Sequence, residues 1–197
     1  KKIKLPAHDA ERAGLLALGS FGLRQLSLYS DLDILLLHDG LDRETAGALA
    51  SAVFTPLWDA GFQIGHATRA LDGCVEQMSA DLTTASALLT ARNVTGTDDF
   101  LEKYHERVRL EFIRSRGDRF AQEKIEETVR RHELHGDSPC MREPNVKESA
   151  GGLRDAQLCL FLTMASDKIF GWEEAVAESV LPYVNLRSSV NALDFIL

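Results

Sequence analysis

The chain has 197 residues, of which 45% are hydrophobic and 26% are charged, so it is long enough and apolar enough to bury a sizeable core. Its formal net charge of -8 at pH 7 argues against a nucleic-acid phosphate backbone as the main partner. No run of about 18 apolar residues is present, so we expect neither a membrane-spanning segment nor a membrane partner.

The first predicted elements are two short buried strands joined by a polar connection. One apolar run, Leu15–Leu18, stops at a Gly-Ser pair, and a second run, Ile34–Leu37, begins directly after Asp31-Leu32-Asp33. Short apolar runs bounded by turn residues are typical of strands. Because side chains alternate along a strand, Asp31 and Asp33 are predicted to leave the same face of the sheet, side by side.

The two carboxylates and the preceding Gly-Ser turn predict a site for a divalent cation and a triphosphate. Like charges held this close repel unless a cation lies between them. Mg²⁺ binds through one or two carboxylates and takes its other ligands from water and substrate phosphates. Gly19 lets a phosphate approach the backbone, Ser20 offers a hydroxyl, and amides of the helix that follows can face an anion. No Gly-Lys-Ser/Thr follows, so this is not a P-loop.

The alternative to this site is structural. Asp31 and Asp33 would then be solvated acids at the start of a strand, and Ser20 would only cap the helix that follows.

The remainder of the N-terminal part is predicted to form a small α/β unit over residues 1–97. Asp42 is the predicted N-cap of a helix that runs to Gly61 and is bent or interrupted by Pro56. Three further elements complete the unit: a strand that pairs with the one carrying the aspartates, and then two helices, over residues 62–68, 72–79 and 81–93.

A helical subdomain is predicted over residues 98–197. Two helical stripes of apolar residues, within 100–112 and 120–132, are separated by Gly117-Asp118. A polar loop over 135–152 follows, and a helix over 153–170 is closed by Gly171.

Several of these motifs resemble a known family. Gly19-Ser20, ten further residues and then Asp31-Leu32-Asp33 resemble the signature of the DNA polymerase β-like nucleotidyltransferases. The longer stretch GSFGLRQLSLYSDLDILLL is similar to the N-terminal domain of the bacterial PII uridylyltransferases. Three later segments agree with this resemblance: GHATR at 65–69, DLT at 81–83 and NVKESAGGLRD at 145–155.

The resemblance implies a fold, an activity and a set of site residues. The fold is α/β (α+β), with a small mixed-sheet core of the polymerase β-like type followed by a helical subdomain. The activity is Mg²⁺-dependent transfer of UMP from UTP to a tyrosine hydroxyl of the PII nitrogen-signalling protein, with release of pyrophosphate. The catalytic residues are Asp31 and Asp33. The nucleotide-binding residues are Gly19, Ser20, Ser30, Arg69, Lys147 and Arg154, and the metal ligands are Asp31, Asp33 and Asp81.

Some of these assignments compete with structural interpretations. The superfamily commonly uses a third carboxylate on a neighbouring strand, but residues 63–69 contain no acid. Asp81 is an acid nearby in sequence, yet it also has the context of a helix N-cap. Arg69 either holds phosphate oxygens or pairs with a surface acid, and His66 is predicted to be a packed strand histidine.

The segment around Gly151-Gly152 has two interpretations as well. Lys147 and Arg154 carry positive charge that would meet phosphates if this flexible segment approached the site. Alternatively the segment is a linker between two helical pieces, locked by Arg154 and Asp155.

Two departures from the family pattern keep other functions open. Leu23 and Gln25 stand where the family usually carries Arg and Glu. They would suit the related nucleotidyltransferase-like branch found beside CBS domains, with another donor or target. The missing third carboxylate would suit a nucleotide-sensing module that has lost catalysis.

Two further features concern the context of the chain. Cys74, Cys140 and Cys159 are odd in number and lack the spacing of a metal site or a CxxC pair, which is typical of reduced thiols and predicts a cytoplasmic location. The sequence stops at Phe195-Ile-Leu without a cap or a polar tail, so we expect a fragment of a longer enzyme.

Overall fold

The computed structural model describes residues 9, 11–26, 30–135, 145–167 and 169–170. The chain divides into two compact units, Lys1–Phe112 and Ile113–Leu197. Within the described residues, no helix has both the length and the apolar character needed to cross a membrane.

The first unit is built on a four-stranded mixed sheet. Its strands are Ala13–Ala17 (β1), Leu32–His38 (β2), Ile64–Ala70 (β3) and Arg92–Thr95 (β4), in the spatial order β3-β2-β1-β4. β2 pairs antiparallel with β1 and parallel with β3, and β4 pairs antiparallel with β1. The predicted pairing of the aspartate strand with the strand after Gly61 is confirmed, and so is the α/β (α+β) class with a small mixed sheet followed by helices.

The central strands β1 and β2 are buried on both faces. On one face Leu16, Leu35 and Leu37 are at most 1% exposed. On the other, Ile34 and Leu36 belong to a cluster with Phe54 of the first long helix. Because both faces are covered, each strand appears in the sequence as a continuous apolar run, which is the pattern that predicted it.

Short and long helices connect and cover these strands. They are Gly19–Gly22 (α1), Arg43–Asp59 (α2), Cys74–Ala80 (α3), Leu82–Leu89 (α4) and Asp98–Tyr104 (α5), and a π-helical segment, His105–Leu110, follows α5.

Helix α2 begins where predicted but is not interrupted. The Asp42 side chain accepts hydrogen bonds from the backbone amides of Glu44 and Thr45, as an N-cap does. Pro56 lies inside the helix, which continues to Asp59, so the predicted interruption does not occur. Proline lacks one N–H donor, but the Pro56 carbonyl still accepts from the Ala60 amide at 3.1 Å, so hydrogen bonding continues past it.

The prediction of a helix over residues 81–93 is wrong at its end. Helix α4 stops at Leu89, and Arg92–Thr95 form the edge strand β4. This strand has four residues and is exposed along most of its length, so it lacks the apolar alternation that marks a half-buried strand.

Helix α5 and the π-helical segment lie in the first unit, although the sequence analysis placed residues from 98 onward in the helical subdomain. The Tyr104 hydroxyl donates to the Leu88 carbonyl, and Arg107 pairs with Asp72 and Asp39. These contacts join the segment to the sheet-bearing residues.

The long helix Glu111–His135 (α6) passes through Gly117 without a break, so the predicted separation at Gly117-Asp118 is wrong. A Cβ on Gly117 would lie 3.4 Å from the carbonyl oxygen of Ala165, in the helix Leu153–Asp167 (α7). Gly117 therefore lies inside a continuous helix that packs against α7, and not in a turn.

The end of the chain is described only in part. Helix α7 ends at Asp167, before the predicted end at 170, while Gly171 and the terminal Phe195-Ile-Leu lie outside the described residues. In the predicted loop over 135–152, the described residues 145–152 form turns.

Candidate active site

The carboxylate of Asp33 lies in a slot between two glycines. Asp33 is the second residue of β2, and its register partner on β3 is Gly65. A Cβ on Gly65 would lie only 2.1 Å from Asp33 Oδ1, and a Cβ on Gly19 would lie 3.1 Å from Asp33 Oδ2. Each oxygen of this carboxylate therefore occupies space that a glycine leaves empty.

The Gly19-Ser20 turn is joined directly to the aspartate strand. The Leu18 amide donates to the Asp33 carbonyl at 2.8 Å, and Gly19 has a φ of 54°, in the left-handed region that favours glycine. Leu18 is the N-cap residue of α1 and makes no side-chain cap bond, so Ser20 is not the cap that the structural alternative required.

Arg92 holds α1 from the side of β4. Its Nη2 donates to the Phe21 carbonyl at 3.2 Å, and its guanidinium lies 5.2 Å from the centre of the Phe21 ring. The backbone also packs closely at Gly22, where a Cβ would lie 2.7 Å from the Ala17 carbonyl oxygen and 2.9 Å from the Thr90 carbonyl oxygen. The turn is thus held in place next to Asp33.

The electrostatics of the two aspartates favour a bound cation. Burial and, second, the charge of the neighbouring Asp31 raise the pKa of Asp33 above its ordinary value. A divalent cation would remove both the desolvation cost and the repulsion. Two carboxylates beside a turn that can admit a phosphate are a donor set that fits Mg²⁺, which needs only one or two carboxylates from the protein.

No third carboxylate joins this pair in the part of the chain that the structure describes. Among the described residues, no group of three or more His, Cys, Asp or Glu side chains is arranged to hold a metal ion. The place opposite Asp33 on β3 is taken by Gly65, where any side chain would collide with the Asp33 carboxylate. The site described here is therefore a two-carboxylate site.

Asp81 is the N-cap of α4. Its carboxylate accepts from the amides of Thr83 and Thr84 at 3.3 and 2.7 Å and from the Thr84 hydroxyl at 2.5 Å. These hydrogen bonds, led by the Thr84 hydroxyl, lower the pKa of Asp81. The cap predicted as the alternative is present, and the described residues do not group Asp81 with Asp31 and Asp33 as metal ligands.

Arg69 lies at the other end of β3. It pairs in register with Leu37, four residues along the strand from the Gly65 position, or about 13 Å at the usual rise of a strand. Its Nη1 donates to Gln77 Oε1 at 2.6 Å. The structure therefore does not bring Arg69 to the turn at Gly19.

Ser30 and His66 adjoin the aspartate region in different ways. Ser30 immediately precedes Asp31 and is partly buried. The His66 ring packs against the rings of Phe54 and Trp58, with centroids 5.0 and 4.8 Å away. The prediction of a packed strand histidine is confirmed.

In the second unit, Lys147 and Arg154 belong to a tightly bonded turn. Asn145 Oδ1 accepts from the Lys147 and Glu148 amides at 3.1 and 3.0 Å. Arg154 Nε lies 3.8 Å and Lys147 Nζ 4.0 Å from Glu148 Oε1. Both cations are therefore near one acid.

Asp155 joins this turn to α6, in keeping with the linker interpretation. Arg131 Nη2 donates to Asp155 Oδ1 at 2.6 Å, His132 Nε2 lies 2.9 Å from the same oxygen, and the Gly151 amide donates to Oδ2 at 2.7 Å. Burial opposes ionisation of Asp155, but the hydrogen bonds from Arg131, Gly151 and His132 outweigh it and lower the pKa of Asp155.

Sequence reasoning missed two residues that shape the site. Gly65 was noticed as part of a motif, but its role depends on the strand register. A glycine inside a strand is a recognised signal of close approach by another group and could have identified it. Arg92 gave no signal, because the strand that carries it was not predicted.

Comparison with known proteins shows which proteins the chain is similar to. A family model described as GlnD PII-uridylyltransferase matches residues 119–197. A bifunctional uridylyltransferase/uridylyl-removing enzyme from Phenylobacterium zucineum is 32% identical over 188 residues, which are 95% of this chain and 20% of that protein. An enzyme of the same name from Burkholderia thailandensis is 40% identical over 161 residues, which are 81% of this chain and 18% of that protein.

These matches confirm the resemblance to the bacterial PII uridylyltransferases. The chain spans about a fifth of the length of the curated relatives it matches.

Proposed function

We propose that this chain, a relative of the PII uridylyltransferases, carries a nucleotidyltransferase site that transfers UMP from UTP to a tyrosine hydroxyl of a PII-type signalling protein in the cytoplasm. The names of the relatives support uridylyl transfer. One structural observation carries the proposal: the Asp33 carboxylate, with a pKa raised by burial and by Asp31, lies in a glycine slot beside the Gly19-Ser20 turn.

Asp31 and Asp33 would hold Mg²⁺. When bound, the ion would supply positive charge that stabilises the transition state at the α-phosphorus and favours ionisation of the attacking hydroxyl.

The residues of the chain orient the reactants. Gly19 gives the triphosphate access to the backbone, and the Ser20 hydroxyl is available as a donor to a phosphate oxygen. Arg92, through the Phe21 carbonyl, keeps this turn in position next to Asp33. Such positioning contributes to catalysis because reacting groups held in the right geometry need not be ordered at the moment of reaction.

In the reaction, the tyrosine oxygen forms a bond to the α-phosphorus while the bond from that phosphorus to the bridging oxygen of the β-phosphate breaks. Pyrophosphate leaves with the electron pair of the broken bond, and the hydroxyl proton passes to water.

The deciding experiment measures the intact mass of purified PII protein after incubation with this chain, Mg²⁺ and either UTP or ATP. We expect a uridylyl increment that disappears with Asp33→Asn. An adenylyl increment instead would keep the chemistry but change the donor, as the departures at Leu23 and Gln25 would allow.

A second candidate is a nucleotide-sensing module without turnover. The specific observation in its favour is the lack of a third acid beside Asp31 and Asp33 among the described residues. Calorimetric binding of UTP that requires Mg²⁺, together with no mass increment on the PII protein, would favour this candidate over the transferase.

A further inference from the structure

In the described part of the chain, strand β3 has an open edge. It is the first strand in the order β3-β2-β1-β4, so only one of its sides pairs within the sheet. The Leu32 amide donates to the Gln63 carbonyl, which shows that the peptide groups of odd-numbered residues face β2. Because peptide groups alternate in direction along a strand, those of Ile64, His66 and Thr68 face away from β2. No hydrogen bond to them is found among the described residues.

Among the described residues, this edge lacks the usual protection against pairing. Natural edge strands are kept short, bulged, charged or interrupted by proline. The opposite edge, β4, follows that rule, with four residues and a register shift against β1 between Leu15 and Leu16. β3 has seven residues, contains no proline and keeps an unbroken register with β2. Its single charged side chain, Arg69, lies near its end.

The open edge leads directly to the Asp33 carboxylate. Gly65 stands between the edge and Asp33, and its missing side chain leaves the space into which the carboxylate projects. A strand added to β3 would lie about 4.8 Å from it, and every second side chain of that strand would stand on the face that carries Asp33. The three atoms nearest to a Cβ on Gly65 all belong to Asp33, so a side chain placed next to Gly65 would have Asp33 as its neighbour on β2.

Exposed aromatic side chains lie beside the same edge. Trp58, near the end of α2, is 46% exposed, and Phe62, which precedes β3, is 51% exposed. The Trp58 ring contacts His66, whose peptide group faces the open side. Large aromatics of this kind anchor extended segments in protein interfaces.

We infer that the β3 edge is the docking surface for the protein acceptor of the proposed reaction. An extended segment of the acceptor pairs with β3, and its tyrosine, placed next to Gly65, stands on the Asp33 face. The occupant is an acceptor segment because its hydroxyl must reach Asp33, and the missing side chain of Gly65 leaves room for that approach from this edge. The inference rests on the proposed function and specifies its partner surface.

Thr68→Pro tests the inference, with Thr68→Ala as its matched control. Thr68 is exposed and its amide faces away from β2, so proline removes a hydrogen-bond donor for an added strand and leaves the β2 ladder intact. We expect the proline variant to raise the KM for PII protein about tenfold or more. Mg²⁺-dependent UTP affinity should stay unchanged in both variants, and the alanine variant should behave as the wild type.

The outcomes separate this inference from the proposed function. If the wild type transfers UMP and Thr68→Pro does so with the same KM for PII protein, the docking surface is wrong and the proposed function stands. If the folded wild type transfers nothing, the proposed function is wrong. If the wild type is a dimer that Thr68→Pro converts to a monomer, the edge pairs with a second copy, and the inference is overturned.

A test on the acceptor side covers the case in which Thr68→Pro impairs folding. Synthetic peptides of the tyrosine-bearing acceptor loop would be N-methylated at alternate residues in two sets. We expect methylation in one set to abolish transfer and in the other to leave it unchanged, since only every second amide of an added strand faces β3. Equal effects of both sets would overturn the inference.

Discussion

At the scale of single residues, the position of the Asp33 carboxylate depends on the absence of a side chain at Gly65. Gly65→Ala places a methyl group only 2.1 Å from the present position of Asp33 Oδ1, so the carboxylate must move away. Because the displaced group is the end of one side chain, we expect a folded protein with uridylyl transfer reduced about 100-fold, the scale of a misplaced catalytic group. Steady-state kinetics with PII protein measures this.

The matched control for this variant is Gly47→Ala. Gly47 is exposed in α2, and a Cβ there would meet no atom within 4 Å. This change should leave transfer unchanged and stabilise the helix by up to about 1 kcal/mol. Wild-type activity in Gly65→Ala would show that the slot does not position Asp33.

In the absence of metal, the ionised Asp33 carboxylate should lower the free energy of unfolding at neutral pH. The folded protein raises the pKa of Asp33 above its ordinary value of 3.8, so it favours the protonated carboxyl. The resulting contribution to the free energy of unfolding is complete below pH 3.8 and is lost as pH rises through the folded-state pKa. At pH 7 we therefore expect Asp33→Asn to increase the free energy of unfolding, because it removes a partly buried charge and the repulsion between that charge and Asp31. Thermal denaturation without Mg²⁺ measures this.

Added Mg²⁺ provides the internal comparison for Asp33→Asn. It should raise the melting temperature of the wild type, because a ligand that binds only the folded state stabilises it, and should have little effect on the variant. A metal-free Asp33→Asn protein that melts below the wild type would contradict the electrostatic account.

The residues of the site were predictable to the extent that their chemistry is local in sequence. Asp31, Asp33 and Gly19 were assigned from a short motif, and the structure brings Gly19 to the Asp33 carboxylate. Gly65 and Arg69 depend on how β3 is aligned with β2. That register is set by packing over the whole sheet, so sequence alone could not show that Gly65 meets Asp33 while Arg69 lies four residues further along the strand.

At the scale of elements, the two predicted N-caps offer a test of the metal-ligand assignment of Asp81. Asp42 and Asp81 make the same set of bonds, two from backbone amides and one from a threonine hydroxyl. Alanine at either position should destabilise the protein by about 1 kcal/mol, as loss of a cap does. If Asp81 is a cap only, both variants keep their Mg²⁺ affinity and transfer rate, which calorimetry and kinetics measure.

The comparison between these two caps decides the role of Asp81. A large loss of Mg²⁺ affinity in Asp81→Ala, absent in Asp42→Ala, would establish Asp81 as a ligand despite its present hydrogen bonds.

Elements with strong local signals were predicted and those without were not. The Asp42 cap followed by apolar periodicity located α2, and two apolar runs located β1 and β2. The edge strand β4 has no such pattern, since its stability comes from pairing with β1. Gly117 was taken as a break because glycine disfavours helix, but that preference is modest and the 25-residue helix continues through it.

At the scale of the whole molecule, the fold class followed from the order of elements, whereas the strand order did not. Strands and helices that alternate along a chain predict an α/β arrangement with helices packed on a sheet. The antiparallel start, β1 with β2, and the crossover to a parallel β3 depend on which faces pack together in three dimensions. The open edge at β3 is a consequence of that order, so it too could be recognised only from the structure.

The stability of the folded molecule should depend on pH through His38 at the end of β2. Its ring Nδ1 accepts a hydrogen bond from the Leu41 amide at 3.3 Å, so the folded protein requires that nitrogen to be unprotonated. Burial and, next, the charge of Arg12 lower the pKa of His38, while Asp39 opposes them. Below the ordinary value of 6.5 the unfolded chain therefore binds a proton that the folded protein does not.

Acid should destabilise the folded protein, because only the unfolded chain binds this proton. The free energy of unfolding should fall as pH drops below 6.5 toward the folded-state pKa, with a slope from this group of at most about 1.4 kcal/mol per pH unit. Urea denaturation between pH 7 and 5 measures it, and His38→Gln, which cannot titrate, should reduce the slope. An identical slope in the variant would assign the pH dependence to other groups, since removal of His38 would then have removed no proton uptake.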